Sequence, residues 1–474
     1  MQREWFKPLL DKLVNSYSAR IIVIDECRYS QHPEVDAALK RHFAVHYYKS
    51  ELELRSFLMQ NSASRTLIIK LPEVSYLPFD IEQSSEIIYW READLVPATV
   101  RTEKGERMSK EESGFLFDVY GSANELEQLL NEEPIPWGKA SYLWGKLSFL
   151  KDRFYYDTVY SNNISTPGVE RLLKDLEAKL KEKFTYFITS HYRNLFYQSI
   201  FYEPVTVDRV LPFCAHRDSG KLALICMDGM GFQEWFCLKN YFLSRGISNF
   251  KEMYVFALIP TVTRISRRAL FSGKKSLADL PGEEKGFREY VRQNMANAKG
   301  TAQFFVDKHL QLQPEYFASN YVGIVFSLID DLAHSIHVLG EDKALMQQNL
   351  EVILRKTEFA EIIKRFLEEG YKVILTSDHG SVYSSGIGIK QDKYLMDERA
   401  KRACLFPNKR LAEDFMKRDE RLLFYENEEL LGKSCAVFAP WRGMFGSLNE
   451  KEISHGGIHL EEVVVPFVEV LMLI

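Results

Sequence analysis

The stretch "YKVILTSDHG" (residues 371–380) runs through apolar side chains and then sets Asp378 and His379 side by side. Neighbouring side chains on a strand point to opposite faces, so the pair converges on nothing while the strand continues. If the two side chains meet, the chain must turn at Ser377. The run before them is then a strand with polar chemistry at its carboxyl end. Taken alone, the pair is turn chemistry or a pair of metal ligands, and its surroundings decide between the two.

The same pattern recurs upstream. "KLALICMDGMG" (221–231) reads as a strand running into a glycine turn, followed by the helical "FQEWFCLKNYFLSRG" (232–246), which glycine closes. "MYVFALIP" (253–260) is a strand and "TVTRISRRALFSG" (261–273) a helix. "YVGIVFSLIDD" (321–331) is a third strand, and "ALMQQNLEVILRKTEFAEIIKRFLEEG" (344–370) supplies helices before the stretch above. "CAVFAP" (435–440) and "EEVVVPFVEVLMLI" (461–474) add strand material. Such alternation predicts an α/β doubly wound sheet over residues 206–474, with ligands beyond the carboxyl ends of the strands.

Residues 1–100 read as a smaller α/β domain. "RIIVID" (20–25), "AVHYYKS" (44–50) and "RTLIIKL" (65–71) are strands, and "PEVDAALKRHF" (33–43) and "ELELRSFLMQ" (51–60) are helices. Asp25-Glu26 is similar to the acidic start of a response-regulator receiver. The third strand ends in Lys70, where a receiver carries its phosphorylated aspartate, so turn chemistry is the expectation for the acidic pair. Residues 101–205 read as a linker, polar over 101–125, and a helical connector with charged outer faces.

At 474 residues the chain is too long for one core. A net charge of −5 gives no overall basic field of the kind that marks nucleic-acid binding. The six cysteines are scattered without a CxxC pair, which argues against a disulfide framework and for a reducing compartment. No signal-type core and no long apolar run is seen, so no membrane association is expected and the expected location is the cytoplasm.

Every strand end in the 206–474 segment carries a hard or borderline metal ligand. Asp228 follows the first, and Asp330 and His334 stand at i and i+4 on one helical face after another. Asp378-His379 and then "SHGGIHLEE" (454–462) with His455 complete the set. Each alone reads as a turn, a cap or a solvated face. Together, carboxylate and imidazole suit zinc, manganese or magnesium. Thr261, Thr263 and Ser266 offer hydroxyls at a helix start, where free N–H groups favour phosphate, and Arg264, Arg267 and Arg268 add positive charge.

The ordered segments "ICMDGMG", "PTVTRISRRALFSG", "LIDDLAH", "TSDHG" and "HGGIHLEEVVVPF" resemble the alkaline phosphatase superfamily. Within it they resemble the PglZ domain of BREX-type phage-defence and signalling proteins. The resemblance implies an alkaline-phosphatase-like sheet and a phosphoryl-transfer site with two divalent metal ions, zinc first and manganese or magnesium as alternatives. One ion would be held by Asp228, Thr263, Asp378 and His379, the other by Asp330, His334 and His455. Thr263 matches the family nucleophile, and its phospho-threonine intermediate would be hydrolysed in a second step. Arg264 or Arg267 would contact a phosphate oxygen. The implied reaction is phosphodiester hydrolysis in a nucleotide or nucleic acid, with a phosphomonoesterase or a metal-bound scaffold as alternatives. Defence-system protein partners and oligomers are likewise implied. The phosphodiesterase branch carries Phe-Pro-Asn after its nucleophile. Here Arg264-Ile265-Ser266 follow, so substrate orientation is not carried over. Asp331 and His337 stand near enough in sequence to compete for ligand roles, whereas His459 is expected to be structural, and the 380–434 loop is expected to cap the site.

Overall fold

The computed structural model describes residues 6–14, 18–25, 28–61, 64–72, 76–90, 144–149, 151–152, 167–201, 203–295, 302–335, 343–391 and 400–472. The linker expected at 101–125, parts of the connector and His337 lie outside them. The chain divides into two compact units, Met1–Gly121 and Ser122–Ile474.

In the first unit, β1 (Arg20–Asp25), β2 (Ala44–Tyr47), β3 (Thr66–Lys70) and β4 (Glu86–Trp90) form one parallel sheet in the order β2-β3-β1-β4. Ile21, Val23, Leu67 and Ile69 pack on one side with Leu39 and Phe43, while Ile22 and Ile68 pack on the other with Leu54 and Ile81. Burial on both faces is why these strands read as continuous apolar runs. The Asp25 carboxylate accepts the N–H groups of Tyr29 and Ser30 at 3.0 and 2.8 Å, the turn role expected of it.

The second unit contains β5 (Leu222–Met227), β6 (Phe250–Phe256), β7 (Ala302–Asp307), β8 (Tyr321–Phe326) and β9 (Lys372–Thr376). After β9 come β10 (Val382–Gly386), β11 (Ala403–Phe406), β12 (Leu423–Glu426), β13 (Cys435–Phe438), β14 (Gly443–Met444), β15 (Lys451–Ser454) and β16 (Val464–Val470). The main sheet runs β6-β16-β9-β5-β8-β7. All its strands are parallel except β16, which lies antiparallel between β6 and β9. Every residue of β5 and β8 is buried.

The helices Phe232–Ser244, Ala344–Leu354 and Phe359–Glu368 pack together on one face of this sheet, and Thr263–Ser272 and Glu283–Asn294 on the other. Ring contacts match the two layers: Phe242 on Phe359 at 5.2 Å, and Phe271 on Phe287 and Phe304 at 6.0 and 4.9 Å. The helix Pro167–Ser190 belongs to this second unit, with Phe187 against Phe256 at 6.1 Å.

Two small sheets follow β9. In one, β10 pairs antiparallel with β15, Val382 opposite Ser454. That register sets the residues before β10 beside those after β15, and so delivers His455 to the Asp378-His379 turn. The other, β11-β13-β12, packs with the helix Lys409–Met416 around Phe406, Phe415 and Val437. Five described cysteines, at 214, 226, 237, 404 and 435, are buried thiols. Among the described residues no helix is long and apolar enough to cross a membrane.

Candidate metal centre

The strand β9 ends at Thr376, one residue before Ser377, whose hydroxyl donates to the Met227 carbonyl at 2.7 Å and accepts the Met230 N–H at 3.0 Å. Those bonds lock the β9 turn to the β5 turn. Asp378 and His379 thereby arrive beside Asp228, and the three offer ligand atoms within 4.8 Å of one another. Asp330, on the helix Leu328–Ser335 after β8, meets His334 one turn on at 3.2 Å and His455 at 3.8 Å, forming a second such group.

The imidazole tautomers are set by backbone carbonyls. Nδ1 of His379 donates to the Gly380 carbonyl and Nδ1 of His455 to the Thr261 carbonyl, each at 3.0 Å. The Nε2 lone pair of each ring is left to face the site, the arrangement that orients histidine ligands. Nε2 of His379 stands 2.8 Å from the Thr263 hydroxyl and 3.7 Å from both Asp228 and Asp378. Thr263 is the first residue of its helix, and the N–H groups of Thr263 and Arg264 have no backbone acceptor among the described residues.

At this site four buried atoms have no hydrogen-bond partner among the described residues: Oδ1 of Asp228, Oδ2 of Asp378, and Nε2 of His334 and of His455. Burial and the neighbouring Asp378 push the Asp228 carboxyl well above its usual range. Burial lifts Asp378 to about 6. Burial and the neighbouring His379 ring take His455 down to about 3, whereas Asp330 and Glu452 outweigh burial at His334 and raise it to about 9. Crowded buried carboxylates with orphaned oxygens, facing imidazole lone pairs, are a donor set that a divalent cation satisfies. The residues present fit such ions.

The remaining expected residues fall around this centre. Arg267 donates to Asp228 Oδ2 at 2.6 Å and to Glu283 at 2.9 Å, so its guanidinium is engaged inside the site. Arg264 is exposed and lines, with Arg268, Lys308, Thr263 and Asp331, a cavity of about 420 Å³ over the site. Asp331 accepts the Ser327 hydroxyl at 2.9 Å and lies 3.5 Å from Lys308, outside both ligand groups. His459 also stands apart, capping the helix Leu460–Val463 with its Nε2 3.4 Å from Glu177. Sequence reading missed Glu283 and Glu452, and no local spacing signals either, since each reaches the site only through tertiary packing.

Residues 207–470 match the family described as the BREX system PglZ alkaline phosphatase-like domain. No curated protein matches the chain. Among solved structures, murine ectonucleotide pyrophosphatase/phosphodiesterase 5 is similar at 15% identity and a TM-score of 0.37, over 52% of this chain and 87% of that one. The phosphonoacetate hydrolase from Sinorhizobium meliloti 1021 in complex with phosphonoformate is similar at 11% identity and a TM-score of 0.35, over 53% and 90%. The family match spans more than half of the chain and contains both ligand groups, and the chain belongs to the PglZ family of alkaline phosphatase-like domains.

Proposed function

We propose that the protein is a metal-dependent phosphodiesterase that cleaves a nucleotide or nucleic-acid substrate through Thr263. The observation that carries this reading is the position of the Thr263 hydroxyl, 2.8 Å from His379 and at the wall of a cavity that also reaches Asp228 and Asp330. Asp228, Asp378 and His379 would hold one divalent ion with Thr263, and Asp330, His334 and His455 the other. Bound there, zinc or manganese would lower the pKa of the hydroxyl and offset charge on the phosphoryl group.

The residues of the chain do the rest. The Thr263 hydroxyl gives up its proton as Oγ1 forms a bond to phosphorus and the bond to the ester oxygen breaks, and that oxygen leaves with the electron pair and takes up a proton. Water then cleaves the phospho-threonine and the threonine oxygen regains a proton. The free N–H groups of the helix start and the cations Arg264 and Arg268 neutralise the non-bridging oxygens. Neither arginine has an ion-pair partner among the described residues, which leaves both for an anionic ligand. The family's tie to the BREX system supports a reading of this activity as part of phage defence, in the cytoplasm with defence-system partners.

Purified full chain loaded with zinc or manganese is expected to hydrolyse bis-p-nitrophenyl phosphate faster than p-nitrophenyl phosphate. A reversed preference would make it a phosphomonoesterase. Metal bound without turnover of either ester would leave a scaffold.

A further inference from the structure

Behind the two histidines stacked at the site lies a fully buried carboxylate that touches no ligand group directly. Glu462 is 0% exposed, and all four of its hydrogen bonds come from donors. Oε1 accepts the His459 N–H at 2.8 Å and the Arg402 Nε at 3.0 Å. Oε2 accepts the Gly457 N–H at 2.9 Å and the Thr261 hydroxyl at 3.2 Å. The Thr261 hydroxyl also accepts the Gly456 N–H at 3.0 Å and lies 3.1 Å from the Gly457 carbonyl. The 455–459 turn is thus wound around one carboxylate and one hydroxyl. The carbonyl of the same Thr261 accepts the Nδ1–H of His455.

We propose that Glu462, acting through Thr261 and held by Arg402, is a positioning residue that aims the Nε2 of His455 at Asp330; this rests on the two-metal reading above. Glu462 fills every acceptor position of its carboxylate with a donor. Any neutral replacement of equal size must therefore turn an N–H toward another N–H. Arg402 is itself fully buried and donates to the Ser384 hydroxyl and to the carbonyls of Trp441 and Gly443. Through it, the segment carrying β11 to β14 is tied to the turn that carries His455. The other ligand group is reached by the main chain alone, since the Gly380 N–H donates to the Glu462 carbonyl at 3.0 Å. A side-chain change at Glu462 or Thr261 therefore acts on the His455 group and leaves the Asp228-Asp378-His379 group in place.

The test is metal binding by the full chain, not turnover. Metal-free wild type, Thr261→Val, Thr261→Ser and Glu462→Gln are titrated with manganese by calorimetry, with elemental analysis for stoichiometry and thermal unfolding of each metal-free protein. Wild type and Thr261→Ser are expected to take two ions. Thr261→Val and Glu462→Gln are expected to keep one at wild-type affinity and bind the second about 10- to 100-fold more weakly, the usual cost of losing a residue that orients a ligand. Should Glu462→Gln fail to fold, the Thr261→Val and Thr261→Ser pair decides, because the buried ion pair is intact in both. Two ions at wild-type affinity in Thr261→Val overturn the proposal. Fewer than two ions in wild type would overturn the two-metal reading itself, which is a separate failure.

Discussion

The imidazole rings of His379 and His455 lie stacked, their centroids 4.1 Å apart and their planes 13° from parallel, although each belongs to a different ligand group. Two protonated rings at that separation repel strongly, and burial holds His455 neutral. The two groups therefore meet at a shared wall made of these two rings.

His455→Ala removes that wall and one ligand. The variant is expected to retain at most one ion by elemental analysis. Hydrolysis should drop by about 10³-fold, since two ions together contribute several kcal/mol. Two ions retained at full occupancy would remove His455 from the ligand set.

Thr263→Ala should cut turnover by on the order of 10⁴-fold, as the loss of a nucleophile does in other hydrolases. Metal content should stay near that of wild type, because Asp228, Asp378 and His379 remain. Unchanged turnover would end the nucleophile assignment.

Arg267 offsets the charge of Asp228 and Glu283. Arg267→Met is expected to destabilise the metal-free protein by about 3 kcal/mol, the cost of leaving one partner of a largely buried pair alone. Saturating metal should recover most of that loss. Denaturant unfolding with and without manganese measures both values, and equal losses in the two states would contradict the role.

The pH dependence of stability has a contribution from His459 whose sign follows from its burial. Burial and the adjacent Arg442 charge lower its pKa to about 4, while in the unfolded chain it titrates near 6.5. The unfolded state therefore binds a proton that the folded state refuses between those values. Stability is present above pH 6.5 and is lost as pH falls toward 4, by on the order of 3 kcal/mol. His459→Asn should flatten this part of the pH profile of denaturant midpoints relative to wild type, and an unchanged slope would exclude it.

In the proposed mechanism Arg264 and Arg268 act on substrate rather than on the metals. Replacing both by alanine is expected to raise KM about tenfold with a smaller change in kcat, and to weaken the salt dependence of kcat/KM. A loss confined to kcat would argue for a role at the reacting phosphorus instead.

Much of this protein was legible in one dimension. Strand ends, the i and i+4 placement of Asp330 and His334, and the turn after Thr376 are local properties of the chain, set by periodicity and by where apolar runs stop. A strand such as β4, "EIIYW", is short and half exposed and escaped that reading. What only the tertiary structure decided is non-local. The antiparallel entry of β16 between β6 and β9 and the β10-β15 register that brings His455 to His379 depend on pairings across tens of residues. So do the engagement of Arg267 with Asp228 and Glu283 and the closure of the 455–459 turn around Glu462. A side chain's hydrogen-bond partners depend on which backbone the fold carries past it, and no spacing in the sequence encodes that.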